Sequence, residues 1–282
     1  MVLKERAVIR ISGTDRHKFL QGLITNDINK VSAENAIYAL MLTPQGKFLY
    51  DFFIINHQDS FLLDCQEEYK NEILQKLNFY KFRSQIEISN EENLAISALS
   101  PENCQKKETE IFCQFTDPRN AKLGIRIIHK KPENYQNSEI YQQNRINLKI
   151  AETVDLGHGE SFPLEFGFDD LNAIDYTKGC YVGQEVTART HHRGLIRKKI
   201  FLLKTNHKNP EDLIGQEIYL ENQNADGKKG AKKIGKFLPS FFIKNETTHI
   251  LALLKFRDNT DSEYDLTKIF LPEIKNSKIS LI

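Results

Sequence analysis

The pattern of helix-forming and strand-forming segments changes near residue 196, and this change limits the folds open to the chain. Upstream, amphipathic helical stretches alternate with strands, which indicates an α+β architecture. Downstream, short strands follow one another with turn residues between them and no strong helical stretch, which favours a small antiparallel barrel or sandwich. We therefore predict an α+β region over 1–195 and a C-terminal antiparallel β-barrel over 196–282, with strands at 199–203, 217–220, 234–238, 250–256 and 269–271.

Length and composition fit two globular domains. The 282 residues are too many for one small core, and 18 Phe and 10 Tyr provide apolar surface to bury. The net charge of +1 gives no general attraction to nucleic acid or to an anionic membrane. No apolar run reaches the ~18 residues of a membrane span, and residues 1–6 do not resemble a signal peptide. These features predict a cytoplasmic protein with no membrane and no direct nucleic-acid partner.

The cysteines do not predict a metal site or a disulfide framework. They are widely spaced, and no two of them form a C-x-x-C pair. In a reducing compartment they are expected to be thiols that pack mostly as small apolar side chains. The four residues are Cys65, Cys104, Cys113 and Cys180.

Local patterns predict the main elements of the first region. A strand at 7–11 is followed by an amphipathic helix whose apolar positions run from Phe19 to Ile28. Pro44, Gln45 and Gly46 form a turn between two strands, which predicts a hairpin over 36–55. Further elements are a helix over 66–82, strands at 61–65, 86–88, 94–99, 111–115 and 123–129, and a helix over 133–150. The irregular stretch over 155–183 carries several Phe and Leu residues, so we expect a buried, functional connection.

The segment richest in chemistry is Lys178-Gly179-Cys180-Tyr181-Val182-Gly183-Gln184-Glu185, here called the signature segment. Two glycines bracket a Cys and a Tyr, which permits a backbone bend. A helix that begins after Gly183, together with Lys178, would favour a thiolate at Cys180. The alternative is a tight turn with a buried cysteine, and both alternatives are open at this stage.

This segment, K-G-C-Y-V-G-Q-E, resembles the signature of the YgfZ-type folate-binding proteins. They are relatives of the mitochondrial iron–sulfur assembly factor and of the T-protein, the aminomethyltransferase of the glycine cleavage system. The resemblance extends over residues 8–195 through four further motifs in the same order. These are F-L-Q-G-L-I-T-N-D at 19–27, L-T-P-Q-G-K-F at 42–48, D-P-R at 117–119 with L-G-I-R at 123–126, and P-L-E at 163–165.

The resemblance implies a fold and a function. The fold is a T-protein-like folate-binding region of two intertwined ferredoxin-like halves, followed by an antiparallel β-barrel. The function is tetrahydrofolate binding in support of iron–sulfur cluster assembly or repair in client enzymes, including tRNA-modifying enzymes. The implied partners are a reduced folate and the iron–sulfur assembly machinery or its clients, with Cys180 as the chemically active residue.

Two other functions are compatible with the sequence. A one-carbon transferase of the T-protein type needs a carboxylate near the reacting nitrogen, and Asp51 is the candidate. The T-protein has paired aspartates there, whereas Tyr50 occupies the first position in this chain. Asp51 itself has two possible locations: it either contacts the folate or lies on the wet face of a half-buried strand. The second function is that of a non-catalytic interaction scaffold, in which the signature segment is only structural.

Further residues are predicted to contact the folate. Asn26 and Asp27 at the end of the first helix could bind the edge of the pterin, or could simply terminate the helix. Lys178, Tyr181, Gln184 and Glu185 accompany Cys180 in the signature segment. Arg189 and Arg193, in a basic cluster that continues through Arg197 to Lys199, could bind the glutamate tail or could form a solvated face.

Two other charged groups are predicted to be structural. Arg119 and Arg126 are expected to form ion pairs that join subdomains. The lysine-rich stretch over 228–236 is expected to be a solubilising hairpin tip.

Overall fold

The computed structural model describes residues 2–99, 110–132, 139–194, 196–223, 229–255, 269–272 and 279–281. The chain divides into two compact units. The first comprises Met1–Tyr141, Gly157–Pro163 and Phe168–Arg189, and the second comprises Gln142–Leu156, Leu164–Gly167 and Thr190–Ile282. The second unit includes two short segments that precede residue 195, so the two-domain division at that residue stays a prediction.

The first unit contains a five-stranded antiparallel sheet and two main helices. The strand order is β2-β3-β4-β1-β5, so the first strand of the chain lies between the fourth and the fifth. The strands are β1 (Arg6–Ser12), β2 (Ile37–Leu42), β3 (Phe48–His57), β4 (Ser60–Gln66) and β5 (Glu87–Asn90), and the helices are α1 (Arg16–Gln21) and α2 (Lys70–Lys81). The predicted hairpin is confirmed as β2 and β3, which pair antiparallel around the turn at Gly46.

Both faces of this sheet are buried along β2, β3 and β4. Alternate residues of its strands pack against Phe19 and Leu20 of α1 and Ile73 and Leu77 of α2, and this layer forms the core of the unit. The opposite face contacts a three-stranded sheet, in which Phe115 lies 6.2 Å from the ring of Phe53. That sheet has the order β6-β8-β7 and consists of β6 (Leu94–Leu99), β7 (Ile111–Thr116) and β8 (Ile125–Lys130).

The second unit is built on a six-stranded antiparallel sheet of order β13-β10-β11-β12-β9-β14. Register shifts after Ile218 and after Phe237 mark bulges, which bend strands and give a curled sheet, or half-barrel. Closure into a full barrel stays a prediction. The elements are β9 (Lys198–Thr205), β10 (Glu217–Gln223), β11 (Lys229–Lys244), β12 (Thr247–Lys255), β13 (Ile269–Phe270), β14 (Ile279–Leu281) and α4 (Thr153–Leu156).

Two helices contain a boundary between the units. They are α3 (Glu139–Asn147) and α5 (Gln184–Arg193). The predicted helix over 133–150 corresponds to α3, and its first residues lie outside the described residues, as do Cys104 and Lys228. No helix in the described part of the chain is both long and apolar enough to cross a membrane.

The first helix is shorter than predicted, and the expectation that it continues to Ile28 is wrong. Helix α1 ends at Gln21, and Ile28 begins a separate 3-10 turn. The chain leaves the helix because the Thr25 N–H donates to the carbonyl of Leu40 at 3.0 Å, which draws it toward β2. The apolar spacing beyond Gln21 therefore reflects packing of an irregular segment against the core.

Candidate functional site

The signature segment forms a tight bend that leads directly into α5. Gly183 has a φ of +84°, which favours glycine, and α5 begins at the next residue. The side chain of Cys180 is exposed, whereas Lys178 and Tyr181 on either side of it are buried. The predicted bend is therefore present, but the alternative of a buried cysteine within it is not observed.

Lys178 anchors the start of the signature segment through its buried ammonium group. Its Nζ donates to the carbonyl oxygens of Gln21, Ile24 and Asn26 at 2.8, 2.6 and 2.9 Å. All three carbonyls belong to the end of α1 and the chain that follows it, so one ammonium holds that irregular segment in place. Burial lowers the pKa of Lys178 to about 8, although the charges of Asp27 and Asp175 oppose the shift.

Asp175 shapes the turn that precedes the signature segment, and sequence reasoning missed it. Its Oδ1 accepts from the backbone N–H and the hydroxyl of Thr177, both at 2.7 Å, and Lys30 lies 2.7 Å from Oδ2. Burial raises the pKa of Asp175, but the bonds from Lys30 and Thr177 lower it by a larger amount. The pKa of Asp175 therefore lies below its usual range. The spacing D-x-T-K is the signal in the sequence, because aspartate commonly accepts from the backbone two residues later.

Thr25 was also missed. It is completely buried, its hydroxyl donates to the carbonyl of Ala173 at 2.6 Å, and it accepts from the N–H of Leu40 at 2.8 Å. The N–H of Asp175 donates to the carbonyl of Thr25 at 3.0 Å. Thr25 therefore joins the T-N-D motif to the chain that enters the signature segment.

The hairpin turn at Gly46 packs against the signature segment. A Cβ placed on Gly183 would lie 2.4 Å from the carbonyl oxygen of Thr43 and 3.1 Å from the Cα of Gly46. A Cβ on Gly46 would lie 2.9 Å from the Cβ of Val186. The N–H of Val182 also donates to the carbonyl of Gly22 at 3.2 Å. Three segments that carry the sequence motifs, around residues 19–27, 42–48 and 175–186, thus meet at the signature segment, which carries Cys180.

Asn26 lies in this assembly with its hydrogen-bonding groups occupied. Its amide donates to the carbonyls of Tyr38 and Asn172 at 2.8 and 2.7 Å, and its oxygen accepts from the N–H of Asp27. Asp27 is half-buried and accepts from Gln21 and Asn29 on Oδ1. No described residue donates to its Oδ2. Asn26 is therefore placed to support the loop, whereas Asp27 retains an acceptor.

Asp51 lies away from solvent in a buried network of charges. Its carboxylate accepts from Arg6 at 3.2 Å, and Arg6 also binds Asp64 at 2.6 Å. Both faces of β3 are buried, so the wet-face alternative for Asp51 is not observed. Arg126 continues the network by binding Asp64 at 2.5 Å.

The expectation that Arg119 and Arg126 form ion pairs is confirmed. Arg119 binds Asp117 at 2.8 Å, and the two guanidinium carbons lie 4.6 and 4.0 Å from the centre of the Phe53 ring. The network joins the two sheets of the first unit, since Arg126 belongs to β8 and Asp64 to β4.

Helix α5 carries the remaining predicted residues. Glu185 and Arg189 are exposed and form an ion pair at 2.6 Å, while Gln184 is half-buried. Arg193 is exposed and ends the helix. Tyr181 is buried, and the Nζ of Lys178 lies 5.0 Å from the centre of its ring. Burial, and to a smaller extent the charge of Asp175, raises the pKa of Tyr181 to about 12. The Tyr181 phenol is therefore protonated at neutral pH.

Cys180 differs from the other described cysteines in accessibility. Cys65 and Cys113 are buried, and burial raises the pKa of both thiols, for Cys113 to about 11. Cys113 also contacts His57, with 3.4 Å between Sγ and Nδ1. Because a thiol reacts or binds metal as an accessible thiolate, Cys180 is the described cysteine best placed to do so.

Comparison with known proteins identifies the relatives of this chain. No protein-family profile matches the sequence. The human mitochondrial iron–sulfur cluster assembly factor IBA57 is 33% identical over 228 residues, which cover 71% of this chain and 64% of that protein. The homologue of Dictyostelium discoideum is 31% identical over 247 residues, covering 71% and 60%. The chain therefore spans somewhat less than two thirds of the length of these relatives.

A solved structure supports the same relationship at the level of the fold. The glycine cleavage system aminomethyltransferase T of Bartonella henselae superposes with a TM-score of 0.65 at 11% sequence identity, covering 90% of this chain and 77% of that one. This similarity shows a T-protein-like fold, and the division into two ferredoxin-like halves stays a prediction. From the sequence relatives and this fold together, we conclude that the chain belongs to the family of YgfZ- and IBA57-type proteins.

Proposed function

We propose that this protein binds tetrahydrofolate or another reduced folate and supports the assembly or repair of iron–sulfur clusters in client enzymes. Its relatives are named as iron–sulfur cluster assembly factors. The observation that carries the proposal is the placement of Cys180, which is exposed on a bend that three motif-bearing segments hold in position.

The construction of the bend favours a chemical role for Cys180 over a structural one. Lys178, Thr25 and Gly183 on the buried side use a cation, a hydroxyl and a close backbone contact to fix the segment. None of these contacts needs the thiol, which points to solvent. Thiolates are the usual protein ligands of iron–sulfur clusters, so an exposed, rigidly held cysteine suits the handling of a cluster or of a client.

Residues suited to each end of a reduced folate support this part of the proposal. The pterin presents N–H donors in a plane, and the Oδ2 of Asp27 is an acceptor to which no described residue donates. The glutamate tail carries carboxylates, and the exposed Arg189 and Arg193 of α5 are the proposed partners, with Arg189 exchanging its ion pair with Glu185 for the tail. When bound, the folate would supply a nitrogen that carries one-carbon units. Asn26 and Lys178 would act indirectly, because their polar groups already bind backbone carbonyls.

The one-carbon transferase alternative lacks support from Asp51. A proton-handling carboxylate must reach the reacting nitrogen. Asp51 is completely buried and its carboxylate binds Arg6. We therefore favour a folate-binding assembly factor over a transferase.

The partners and the compartment are part of the proposal. The expected partners are the iron–sulfur assembly machinery or its client enzymes, among which the family resemblance includes tRNA-modifying enzymes. We propose a reducing compartment, the cytoplasm, although the relatives named above are mitochondrial.

Calorimetric titration of the full chain with tetrahydrofolate tests the cofactor. We expect binding, with the polyglutamylated form tighter than the monoglutamate at low salt and a smaller preference at high salt. The preference should fall in the double variant Arg189→Gln and Arg193→Gln and persist in the control Lys208→Gln, an exposed lysine elsewhere. Equal affinity for both forms would assign the arginines to a solvated face, and no binding of either would remove folate from the proposal.

A further inference from the structure

An exposed aromatic patch lies at the end of α2. Phe79 is 79% exposed and Phe82 is 85% exposed, and no other large apolar side chain in the described part of the chain exceeds them. Isolated exposed apolar residues are common, but Phe79 lies in the last turn of α2 and Phe82 directly follows the helix, so this one helix end presents two exposed rings. We call Phe79, Phe82 and the adjoining pocket the α2 patch.

The backbone holds Phe82 in an unfavourable conformation. Its φ is +44° and its ψ is −105°, in the region that favours glycine. A bulky residue there is strained, and such strain is concentrated at binding and catalytic sites. Nothing in the packing of the protein itself benefits from the ring, because it is almost entirely exposed.

A pocket of about 410 Å³ adjoins the ring of Phe82. Phe19, Leu23 and Tyr80 contribute apolar walls, and Gly22 also lines the pocket. Its size suits one or two inserted side chains rather than a flat contact. The Gly22 carbonyl also accepts from Val182 of the signature segment, so the pocket lies beside the chain that carries Cys180.

The charges around the pocket are mainly positive. Lys18, Lys81 and Arg83 line it, and none of them has a carboxylate within 4.0 Å among the described residues. The one acidic residue of the lining, Asp15, already accepts from the N–H of Gln85 at 2.7 Å. The Arg83 guanidinium lies 5.4 Å from the centre of the Phe82 ring. An occupant that complements this surface carries acidic residues beside an apolar one.

We propose that the α2 patch is a docking surface for an acidic segment of a partner protein, which inserts an apolar side chain into the pocket beside Phe82. A second copy of the chain is a poor occupant, since a symmetric contact would bring the three cations against their own counterparts. A membrane is also a poor fit, because a flat lipid surface would contact the exposed rings but would leave the pocket beside Phe82 unfilled.

A peptide selection identifies the occupant without assuming a sequence. A phage-displayed library of short random peptides is selected on the full-length wild type and depleted on Phe82→Gly. Gly relieves the positive φ while removing the ring, so this variant should melt at the same temperature as the wild type or higher. We expect enriched peptides with Glu or Asp beside Phe, Leu, Ile or Trp. Enrichment of basic or uncharged peptides, or no enrichment, overturns the proposal.

Fluorescence anisotropy with the enriched peptide tests the assignment of residues. Phe82→Gly and Phe79→Ala should each weaken binding about tenfold or more, as expected for an aromatic anchor. Ile243→Ala, which alters a side chain that is 53% exposed elsewhere, should leave binding unchanged. Replacing Lys18 and Arg83 with Glu should reverse the preference toward a Lys-substituted peptide. Unchanged binding in the Phe variants contradicts the proposal.

Two further measurements exclude the other occupants. A wild-type dimer in sedimentation that is lost in Phe82→Gly would assign the patch to a second copy and overturn the proposal. Binding to phosphatidylserine vesicles that requires Phe82, without peptide binding, would assign it to a membrane and overturn the proposal as well. Peptide selection requires neither folate nor a cluster, so tetrahydrofolate binding by the same variants is expected to be unchanged, and the two proposals can fail separately.

Discussion

Lys178 uses its whole donor capacity inside the protein. Its three N–H groups donate to three backbone carbonyls at and after the end of α1. Carbonyls at a helix end have no partner within the helix and need a donor from elsewhere. Sequence alone suggests a cation that acts on the nearby cysteine, because the residues that need it lie more than 150 positions away. At the scale of single residues, the structure therefore gives Lys178 a positioning role.

Replacing Lys178 with Met should lower the free energy of unfolding by about 2 kcal/mol or more, since three carbonyls lose their donor while the chain length of the side chain is kept. Urea unfolding followed by fluorescence or circular dichroism measures the change. Lys122→Met, at an exposed lysine of the same unit, is the matched control and should unfold as the wild type does. An unchanged midpoint for Lys178→Met would show that the ammonium does not hold the segment.

Asp175 should make stability depend on acid. Because its pKa in the folded protein lies below the usual value of 3.8, the charged form stabilises the fold above about pH 4. That contribution is lost as the pH falls from the unfolded pKa toward the folded one. Asp175→Asn should therefore show a smaller drop in melting temperature between about pH 5 and pH 3 than the wild type.

The control for this titration is Asp59→Asn, at an exposed aspartate in the turn between β3 and β4. It should follow the wild-type curve. Parallel curves for the wild type and Asp175→Asn would show that the bonds from Lys30 and Thr177 do not favour the carboxylate.

Cys180 should be the first described cysteine to react with a thiol reagent. The comparison is made in a Cys104→Ser background, so that only Cys65, Cys113 and Cys180 are present. The first two are buried with raised pKa values, whereas Cys180 is exposed. Peptide mapping after brief maleimide labelling at pH 7 should find the label at Cys180. Equal labelling at Cys65 would contradict this prediction, because it would mean that the reagent reaches a buried thiol as readily as the exposed thiol of Cys180.

At the scale of elements, the contact between the hairpin turn and the signature segment depends on glycine at two positions. The backbones approach so closely at Gly46 and Gly183 that a Cβ on Gly183 would overlap the carbonyl of Thr43. A Cβ added to Gly179, four residues earlier in the same segment, would meet nothing within 4 Å beyond its chain neighbours. The signature segment thus contains one glycine that a close contact requires, Gly183, and one that no close contact requires, Gly179.

This difference predicts opposite results for two alanine variants. Gly183→Ala should lower the free energy of unfolding by more than the 1–2 kcal/mol expected from a positive φ alone, about 2 kcal/mol or more, because the overlap with Thr43 adds to it. Gly179→Ala should stay within about 0.5 kcal/mol of the wild type. Urea unfolding of both variants gives the comparison. Equal stability of the two would contradict the close contact.

Elements that depend on a local pattern were predictable. The hairpin of β2 and β3 has its turn residues in place, and α2 has its apolar face, although the helix begins at Lys70 rather than at residue 66. The end of α1 was not predictable. The bonds that end it come from β2 and from Lys178, and no short window of sequence contains both.

At the scale of the whole molecule, a buried network of charges joins the two sheets of the first unit. Arg6, Asp51, Asp64 and Arg126 come from four different strands, with sequence separations of 45 to 62 residues between bonded pairs. Sequence reasoning left Asp51 either near the folate or on the wet face of a half-buried strand, and neither alternative predicted the ion pair with Arg6. Removing one partner of such a pair leaves a buried charge and is costly, so a packing of the two sheets that separated these partners would be destabilised.

The sequence motifs predicted the segments that form the candidate site better than they predicted which side chains remain available to a ligand. The motifs around Thr25, Gly46 and Lys178 meet in the structure. Their side chains, however, mostly bind the backbone of the protein itself. Which residues remain available to a ligand follows from tertiary contacts, and this is why Asp27 and Cys180 are distinguished from Asn26 and Lys178 only in the structure.

The central claim is that the protein holds Cys180 in position for work on iron–sulfur clusters. The most direct test is the activity of iron–sulfur enzymes in cells that lack this protein and carry either the wild type or Cys180→Ser. We predict that the serine variant accumulates as a folded protein and binds tetrahydrofolate like the wild type, yet fails to restore that activity. Full restoration by Cys180→Ser would contradict the claim and leave the signature segment as a structural turn.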